Sequence, residues 1–397
     1  MRKTLLQRAA ALATTLGLAS LGLLGAGATP AQAAISDCPK GYFCGWASSN
    51  GTGSMFKTKT SMPTLGSWDN KIQTRYNRTG FNVCFYDKPN YDLAGGYSWD
   101  TPNQSYPTNG AEANTSSIKL VRTLRECESD PYPYWETATS PKALGFGDMN
   151  GDRRADAVLR DEAGRLWLMP GNGTGRLIGN GGWNAMNALV RHGDFSRDGH
   201  EDVIASEKAT GKLWLYPGTG SGGLGTRKLI GNGGWNSMGR LAAFGDLTGD
   251  GRSDLLGVEK ATGKLWLYPG TGSGGLGARK LIGNGGWNGM NALVGAGDMT
   301  GDGRADLVAR EKATGKLWLY PGTSTRTLGA RKLIGTGGWN SMDHILGVGD
   351  TSGDGRPDLE ASDGSSLYQY QGLATGGLRK VDLGNGTWWA LDGATAF

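Results

Sequence analysis

The chain has 397 residues, enough for two or three domains, and contains 70 glycines, 14 tryptophans and 13 tyrosines. The aromatic residues supply core material, which excludes a disordered chain, and the many glycines favour an all-β architecture with tight turns. The formal net charge is +5, but Lys and Arg form no run and no basic helix, which argues against nucleic acid as a partner.

Residues 1–34 have the pattern of a secretory signal peptide. Three basic residues among the first eight precede an apolar stretch at 9–28, and Ala31-Gln-Ala-Ala34 offers a small-residue cleavage site. No other segment is long and apolar enough to span a bilayer. We therefore expect a secreted, extracellular protein that does not insert into a membrane and is a monomer.

Four cysteines, Cys38, Cys44, Cys84 and Cys127, lie in the first third of the chain. An even number of cysteines in a secreted protein implies two disulfides, and the sequence leaves three pairings open. We favour Cys38–Cys44 and Cys84–Cys127. The second, longer closure is worth about 4 kcal/mol in the chain-entropy description of disulfides.

Residues 35–128 are predicted to form a small disulfide-tied β-domain, large enough for a core of its own. Strand-like segments occur at 41–46, 71–76, 81–86 and 117–122, separated by turns. They divide into two similar halves, and two such Greek keys resemble the βγ-crystallin fold.

The segment Cys38-Pro-Lys-Gly-Tyr-Phe-Cys44 resembles the opening of small secreted bacterial peptidase inhibitors of this fold, the metalloproteinase-inhibitor type. Asn82-Val-Cys-Phe-Tyr-Asp87, followed by Asn90-Tyr91 and Gly95, resembles the second half of that family's repeat. The resemblance implies inhibition of a secreted protease by a rigid, substrate-like loop, whose preorganisation lowers the entropy cost of binding. A crystallin-like module without an inhibitory role is the open alternative.

Residues 129–142 are predicted to be a linker, because prolines at 131, 133 and 141 favour an extended, semi-rigid backbone.

From residue 143 to residue 397 the chain is an array of repeats. The stretch Asp298-Met-Thr-Gly-Asp-Gly-Arg-Ala-Asp306 is one of five copies that place a carboxylate at positions 1, 5 and 9. Three carboxylates this close repel one another unless a cation lies between them, and calcium takes oxygen ligands from alternate loop positions. We expect about one structural Ca²⁺ in each loop.

The predicted side-chain ligands are Asp148, Asn150, Asp152, Asp156, Asp194, Ser196, Asp198, Asp202, Asp246, Thr248, Asp250, Asp254, Asp298, Thr300, Asp302, Asp306, Asp350, Ser352, Asp354 and Asp358. Position 7 is predicted to offer its backbone carbonyl, in Arg154, His200, Arg252, Arg304 and Arg356.

The amino-acid sequence between the loops also repeats, so that one repeat unit spans roughly 50 residues, the length of a propeller blade. In the fourth repeat the predicted strands are 291–298, 305–310, 316–320 and 331–335. Asp loops with strands on both sides resemble FG-GAP or VCBS (integrin-type) propeller repeats, which implies a structural role for calcium. We predict a β-propeller of five blades, with six as the alternative, and the tail after Trp389 is a candidate strand for closing the ring.

The repeated segment Leu-Ile-Gly-Asn-Gly-Gly-Trp-Asn, at residues 229–236 and 281–288, resembles the repeat of five-bladed tachylectin-type lectins, which bind N-acetyl sugars. An indole beside an amide can stack on a sugar and bond its polar groups. The alternative, which the sequence favours, is that the indoles pack between neighbouring blades. The candidate sugar-binding residues are Trp183, Asn184, Trp235, Asn236, Trp287, Asn288, Trp339 and Asn340.

No signature of an enzyme occurs in the sequence. Gly-x-Ser-x-Gly, His-Glu-x-x-His and Walker motifs are missing, and the Gly-x-Gly-x-x-Gly at 218–223 precedes a strand-like segment where a dinucleotide site needs a helix. Of the histidines, His192 and His200 flank one Asp loop and His344 stands alone. We predict a non-enzymatic protein that binds a secreted protease or, alternatively, an extracellular glycan or cell-surface polymer.

Overall fold

The computed structural model describes residues 34–107, 113–128, 134–140, 147–191, 193–363, 366–381 and 394–397. Within these ranges the chain is all-β, as predicted, and none of the residues is in an α-helix. None of the helices in them is long and apolar enough to cross a membrane. The predicted signal peptide lies outside them apart from Ala34, and so do His192 and Trp389.

The N-terminal domain consists of two antiparallel sheets, ordered β2-β1-β3-β6 and β5-β4-β7. Strand β6, from the second half, pairs with β3 of the first half, so that the halves share a sheet. The strands are β1 Phe43–Trp46, β2 Met55–Thr58, β3 Thr74–Asn77, β4 Asn82–Tyr86, β5 Tyr97–Asp100, β6 Ser105–Pro107 and β7 Ser117–Val121.

The sequence prediction missed β2, β5 and β6, and it placed the starts of β1, β3 and β4 one to three residues too early. Strand β1 starts at Phe43 because Pro39 to Tyr42 form a turn, in which the Tyr42 N–H donates to the Pro39 carbonyl at 3.2 Å. Gly41 lies in this turn with φ of 84°, a conformation that favours glycine.

The core of this domain lies between the two sheets. Phe43 and Phe85 are buried with ring centroids 5.2 Å apart, and Ile118 packs against them. The disulfides join Cys38 to Cys44 and Cys84 to Cys127, the pairs favoured above.

The C-terminal region contains five four-stranded antiparallel sheets, which fit propeller blades. In sequence order we call them the first to the fifth sheet. The first sheet contains β9 Ala157–Arg160, β10 Leu166–Met169, β12 Arg176–Gly179 and β29 Thr395–Ala396, and the second contains β13 Met186–Val190, β14 Val203–Glu207, β15 Leu213–Tyr216 and β16 Lys228–Gly231. The third sheet contains β17 Met238–Gly245, β18 Asp254–Glu259, β19 Leu265–Tyr268 and β20 Lys280–Gly283, and the fourth contains β21 Met290–Gly295, β22 Leu307–Glu311, β23 Leu317–Tyr320 and β24 Lys332–Gly335. The fifth sheet contains β25 His344–Gly349, β26 Asp358–Ser362, β27 Leu367–Gly372 and β28 Leu378–Val381.

Two more strands, β8 Tyr134–Glu136 and β11 Asn172–Thr174, pair with each other. The short 3-10 helices are Ile35–Asp37, Gly66–Trp68, Pro89–Tyr91, Leu93–Gly95, Leu124–Cys127, Trp183–Ala185, Trp235–Ser237, Trp287–Gly289 and Trp339–Ser341.

The first sheet is completed by a strand from the far end of the sequence. Thr395 pairs with Arg160 and Ala396 with Leu159, so β29 takes the place that β13, β17, β21 and β25 take in the other sheets. These five strands line one cavity of about 190 Å³. The arrangement joins the first sheet to the end of the repeat array.

Small residues let the cavity-lining strands approach one another. A Cβ on Gly295 would lie 2.1 Å from the Ala243 carbonyl oxygen, and one on Gly347 would lie 2.3 Å from that of Gly295. Strand β21 ends at Gly295, three residues before the predicted end, because Gly297 with φ of 69° turns the chain into the Asp loop.

Candidate metal centres

The second to fifth Asp loops each connect the cavity-lining strand of their sheet to the next strand. The residues before the first loop lie outside the described ranges. The tight turn needs left-handed backbone at positions 4 and 6. In the fourth loop these are Gly301 and Gly303, with φ of 78° and 83°. In the first two loops an arginine takes one of these conformations, Arg153 with φ of 67° and Arg197 with φ of 59°.

Backbone N–H groups hold the carboxylates in place. In the fourth loop, Asp298 accepts hydrogen bonds from Gly301, Asp302 and Gly303 at 2.7–3.0 Å. Asp306 accepts from Thr300 at 2.9 Å, and Asp302 accepts from the Arg304 N–H at 3.0 Å. These hydrogen bonds fix the orientation of the carboxylates within the loop.

The second loop shows most directly that the predicted ligands converge. One carboxylate oxygen from each of Asp194, Asp198 and Asp202 lies within 4.8 Å of the others. The Ser196 hydroxyl lies 3.5 Å from Asp194 and 3.4 Å from Asp202. An all-oxygen donor set with excess negative charge fits calcium, a hard cation.

The ninth-position aspartates are fully buried. Burial raises the pKa of Asp156 to about 8, and the pKa values of Asp202 and Asp306 to about 6, against backbone hydrogen bonds that lower them. A divalent cation would favour the charged form instead. The residues present therefore fit a bound metal.

Sequence reasoning missed one residue type in this site, the glycine of the repeated Pro-Gly pair. The Gly218, Gly270 and Gly322 N–H groups donate to Asp202, Asp254 and Asp306 at 2.9–3.0 Å. The signal for it was present, because Pro-Gly ends all three unchanged copies of the third strand.

We expect Gly270→Ala to lower the free energy of unfolding by about 1–3 kcal/mol, because a new Cβ is forced against packed backbone. That Cβ would lie 2.0 Å from the Ser253 carbonyl oxygen. Urea denaturation measures the change. The control is Gly289→Ala, where a Cβ meets nothing within 4 Å and the first sheet carries Ala185. Equal effects of the two substitutions would contradict the prediction.

The side chains at position 7 contribute little to the site. Arg304 pairs with Asp302 at 2.7 Å and Arg252 with Asp250 at 3.4 Å, and both pairs are more than a third exposed. Such exposed ion pairs add little stability. The part played by the backbone carbonyls at position 7 stays a prediction.

The four candidate indoles lie in the 3-10 turns that connect one sheet to the next. Three of them, Trp183, Trp287 and Trp339, are only 7–9 % exposed. Each ring packs 4.5–4.9 Å from a tyrosine ring of the following sheet, in the pairs Trp183–Tyr216, Trp235–Tyr268, Trp287–Tyr320 and Trp339–Tyr370. The indoles therefore fill the contact between sheets.

The neighbouring amides are also occupied. The side chains of Asn184, Asn236, Asn288 and Asn340 donate at 2.8–2.9 Å to backbone carbonyls of a nearby hairpin turn. This contact orients the turn between the second and third strands of the sheet.

His344 is the one histidine with a structural role among the described residues. Its Nε2 lies 2.9 Å from the Ala394 carbonyl oxygen, and burial lowers its pKa below the ordinary 6.5. His200 is exposed in the second loop.

We expect the stability contributed by neutral His344 to be fully present above pH 6.5 and to be lost as the pH falls through the lowered pKa of the folded state. The reason is that the unfolded chain binds the proton more tightly than the folded one. Urea denaturation from pH 7.5 down to about 5, compared with His344→Gln, isolates the effect. A difference between the two proteins that does not change with pH would contradict it.

Comparison with known families supports both predicted resemblances. Residues 31–99 match the peptidase inhibitor family I36, and residues 194–257, 246–309 and 298–359 match the FG-GAP-like repeat. The resemblance of the N-terminal domain to peptidase inhibitors and of the C-terminal region to FG-GAP repeats is therefore confirmed. Neither is a family of enzymes.

A search of curated proteins finds no match. Among solved structures, an Agrocybe aegerita lectin that recognises non-reducing terminal N-acetylglucosamine has a TM-score of 0.40 and 16% identity, over 90% of this chain and 95% of the lectin chain. The Photorhabdus luminescens Tc holotoxin pore has a TM-score of 0.37 and 14% identity, over 77% of this chain and 13% of the toxin chain. At these scores the two likenesses support no statement about function.

Proposed function

We propose that this protein is secreted and binds without catalysis: its N-terminal domain inhibits a peptidase, and its calcium-braced propeller carries that domain. The observation that supports the proposal best is the match of residues 31–99 to peptidase inhibitor family I36. The disulfides and the predicted signal peptide agree with an extracellular site of action.

The N-terminal domain has the rigidity that an inhibitor needs. Cys38, Cys44, Cys84 and Cys127 are at most 2 % exposed, so both bridges are part of the packed interior. Rigid surface segments lose little conformational freedom when they bind a protease, which favours tight binding.

The proposal for calcium rests on the chemistry of the loops. Carboxylate and hydroxyl oxygens converge in the second loop, and the same residue pattern occurs in all five. Bound calcium would supply positive charge between these carboxylates, while the backbone N–H groups keep them oriented. Its role there is structural, because the second to fifth loops each join two strands of one sheet.

The test is inhibition of a panel of secreted metallo- and serine proteases by the mature full chain with its disulfides formed. We expect stoichiometric inhibition of at least one protease. The control is the double variant Cys84→Ala, Cys127→Ala, which should lose inhibition while the propeller still unfolds at its usual temperature. No inhibition across the panel would refute the peptidase inhibitor assignment.

The glycan alternative has less support, because the candidate indoles pack against tyrosines and the candidate amides bond to backbone. A glycan array with the full chain tests it. Binding that survives Trp235→Phe and Asn236→Ala would place a sugar site elsewhere, and binding lost in both variants would restore these residues as candidates.

A further inference from the structure

The contact between the fifth sheet and the first is built differently from the other four contacts between sheets. Three buried positions that are apolar in the first four sheets are polar in the fifth: Thr351, Glu360 and Gln369, which are 1–6 % exposed. The corresponding apolar residues are Met149, Val158 and Leu168; Phe195, Ile204 and Leu215; Leu247, Leu256 and Leu267; and Met299, Val308 and Leu319. We call this polar contact the closing seam.

The backbone hydrogen bond to loop position 2 also has a different donor in the closing seam. In the first two contacts between sheets a glycine from the following sheet donates its N–H to the carbonyl at loop position 2, Gly222 to Met149 at 3.0 Å and Gly274 to Phe195 at 2.8 Å. In the closing seam the Ala138 N–H donates to the Thr351 carbonyl at 2.9 Å. A residue of the predicted linker thus replaces the glycine-rich loop.

The linker residues 134–140 are held from both sides of this seam. On the side of the first sheet, β8 pairs with β11, the Thr137 N–H donates to the Gly171 carbonyl at 2.8 Å, and the Ser140 N–H donates to the Arg153 carbonyl at 2.7 Å. On the side of the fifth sheet, the contact of Ala138 is joined by one from a side chain of the linker.

That side chain reaches the fifth Asp loop. The Ser140 hydroxyl donates to Oδ2 of Asp350 at 2.8 Å, and a Cβ on Gly353 would lie 3.0 Å from the Thr139 carbonyl oxygen. Asp350 is 2 % exposed, whereas the first-position aspartates of the other four loops are half-buried. The first loop also touches the linker, through the Arg153 carbonyl, whereas in the fifth loop a linker side chain bonds a predicted ligand carboxylate.

The closing seam combines an apolar cluster, in which Leu346 and Val348 pack with Leu159 and Trp135, with these buried polar side chains. Oε2 of the buried Glu360 has no hydrogen-bond partner among the described residues, and the seam's polar contacts include one from Gln369 to the Thr351 hydroxyl. Without a cation, Asp350, Asp354 and Asp358 also repel one another beside it. The position of the linker therefore depends on the state of the fifth loop.

We propose that calcium in the fifth loop locks the linker onto the propeller, with Ser140 as the residue that couples the two. This inference rests on the proposed binding of calcium by the Asp loops. The lock also acts on the N-terminal domain, which meets the first sheet through an ion pair of Glu126 with Arg165 at 2.6 Å and a bond from Arg122 to the Asn180 carbonyl at 3.3 Å. Calcium thereby sets how firmly the N-terminal domain is held.

The test is amide hydrogen exchange of residues 134–140 in the full chain, followed by mass spectrometry with calcium and with a chelator. We expect calcium to slow exchange of this segment by about tenfold or more, because local opening becomes rarer. Asp354→Asn should abolish this dependence. The matched control Asp302→Asn, at the same position of the fourth loop, should preserve it, and Ser140→Ala should reduce it.

Thermal unfolding of the same samples distinguishes calcium binding by the Asp loops from the effect of calcium on the linker. Calcium that raises the unfolding temperature but leaves exchange of residues 134–140 unchanged would overturn the lock and leave calcium binding in place. Calcium that changes neither quantity would overturn both. Equal effects of Asp354→Asn and Asp302→Asn on the segment would overturn the special role of the fifth loop.

Discussion

Removal of calcium from the mature protein is expected to lower the free energy of unfolding of the propeller by about 3–9 kcal/mol in total. At about 2 mM free calcium, a dissociation constant of about 0.1–1 mM stabilises the folded state by about 0.6–1.8 kcal/mol for each loop. The effect is large because the sequence contains five such loops and each holds three carboxylates that repel one another when no cation is bound.

Urea denaturation with added calcium and with EDTA measures this difference. Asp198→Asn removes one ligand and should remove roughly one fifth of the calcium effect, since repeats couple mainly to their neighbours. The control is Asp69→Asn, an exposed aspartate of the N-terminal domain outside every loop. If the free energy of unfolding is the same with calcium and with EDTA, the assignment of the loops as calcium sites is wrong.

Deletion of residues 394–397 is expected to lower the free energy of unfolding by about 4 kcal/mol, from lost hydrogen bonds at about 1 kcal/mol each and lost apolar burial. The Phe397 N–H donates to the Val158 carbonyl at 3.0 Å, and Arg191 Nε donates to the Phe397 carbonyl at 3.1 Å. Ala396 packs in the core between the fifth and first sheets.

The measurement is again urea denaturation, with Thr395→Ala as the control because the Thr395 side chain is exposed. We expect the control to change stability by less than about 0.5 kcal/mol. A deletion no more harmful than this control would show that β29 adds nothing to closure.

The repeat array was predictable because its signals recur. Five copies of one Asp pattern indicate a loop that one copy could not, and alternation in the third strand indicates its two faces: Leu317 is fully buried and Trp318 is half-buried. The match of three repeats to the FG-GAP-like family confirms that part of the interpretation.

The parts that sequence reasoning missed depend on contacts between distant segments. Nothing in the linker indicates that Ser140 reaches Asp350, more than two hundred residues later. The polar residues Thr351, Glu360 and Gln369 are visible as departures from the repeat, but only the fold shows that all three lie in one contact. Short strands such as β6, with three residues, carry too few side chains to show alternation.

The strand that completes the first sheet also sets the order in which the molecule can be assembled. Because β29 pairs with β9 across more than two hundred residues, this contact has a very high sequence separation, and such contacts form slowly. Until it forms, one side of β9 is an unpaired strand edge that can recruit another chain. Aggregation during export and refolding should therefore depend on how quickly the last residues dock.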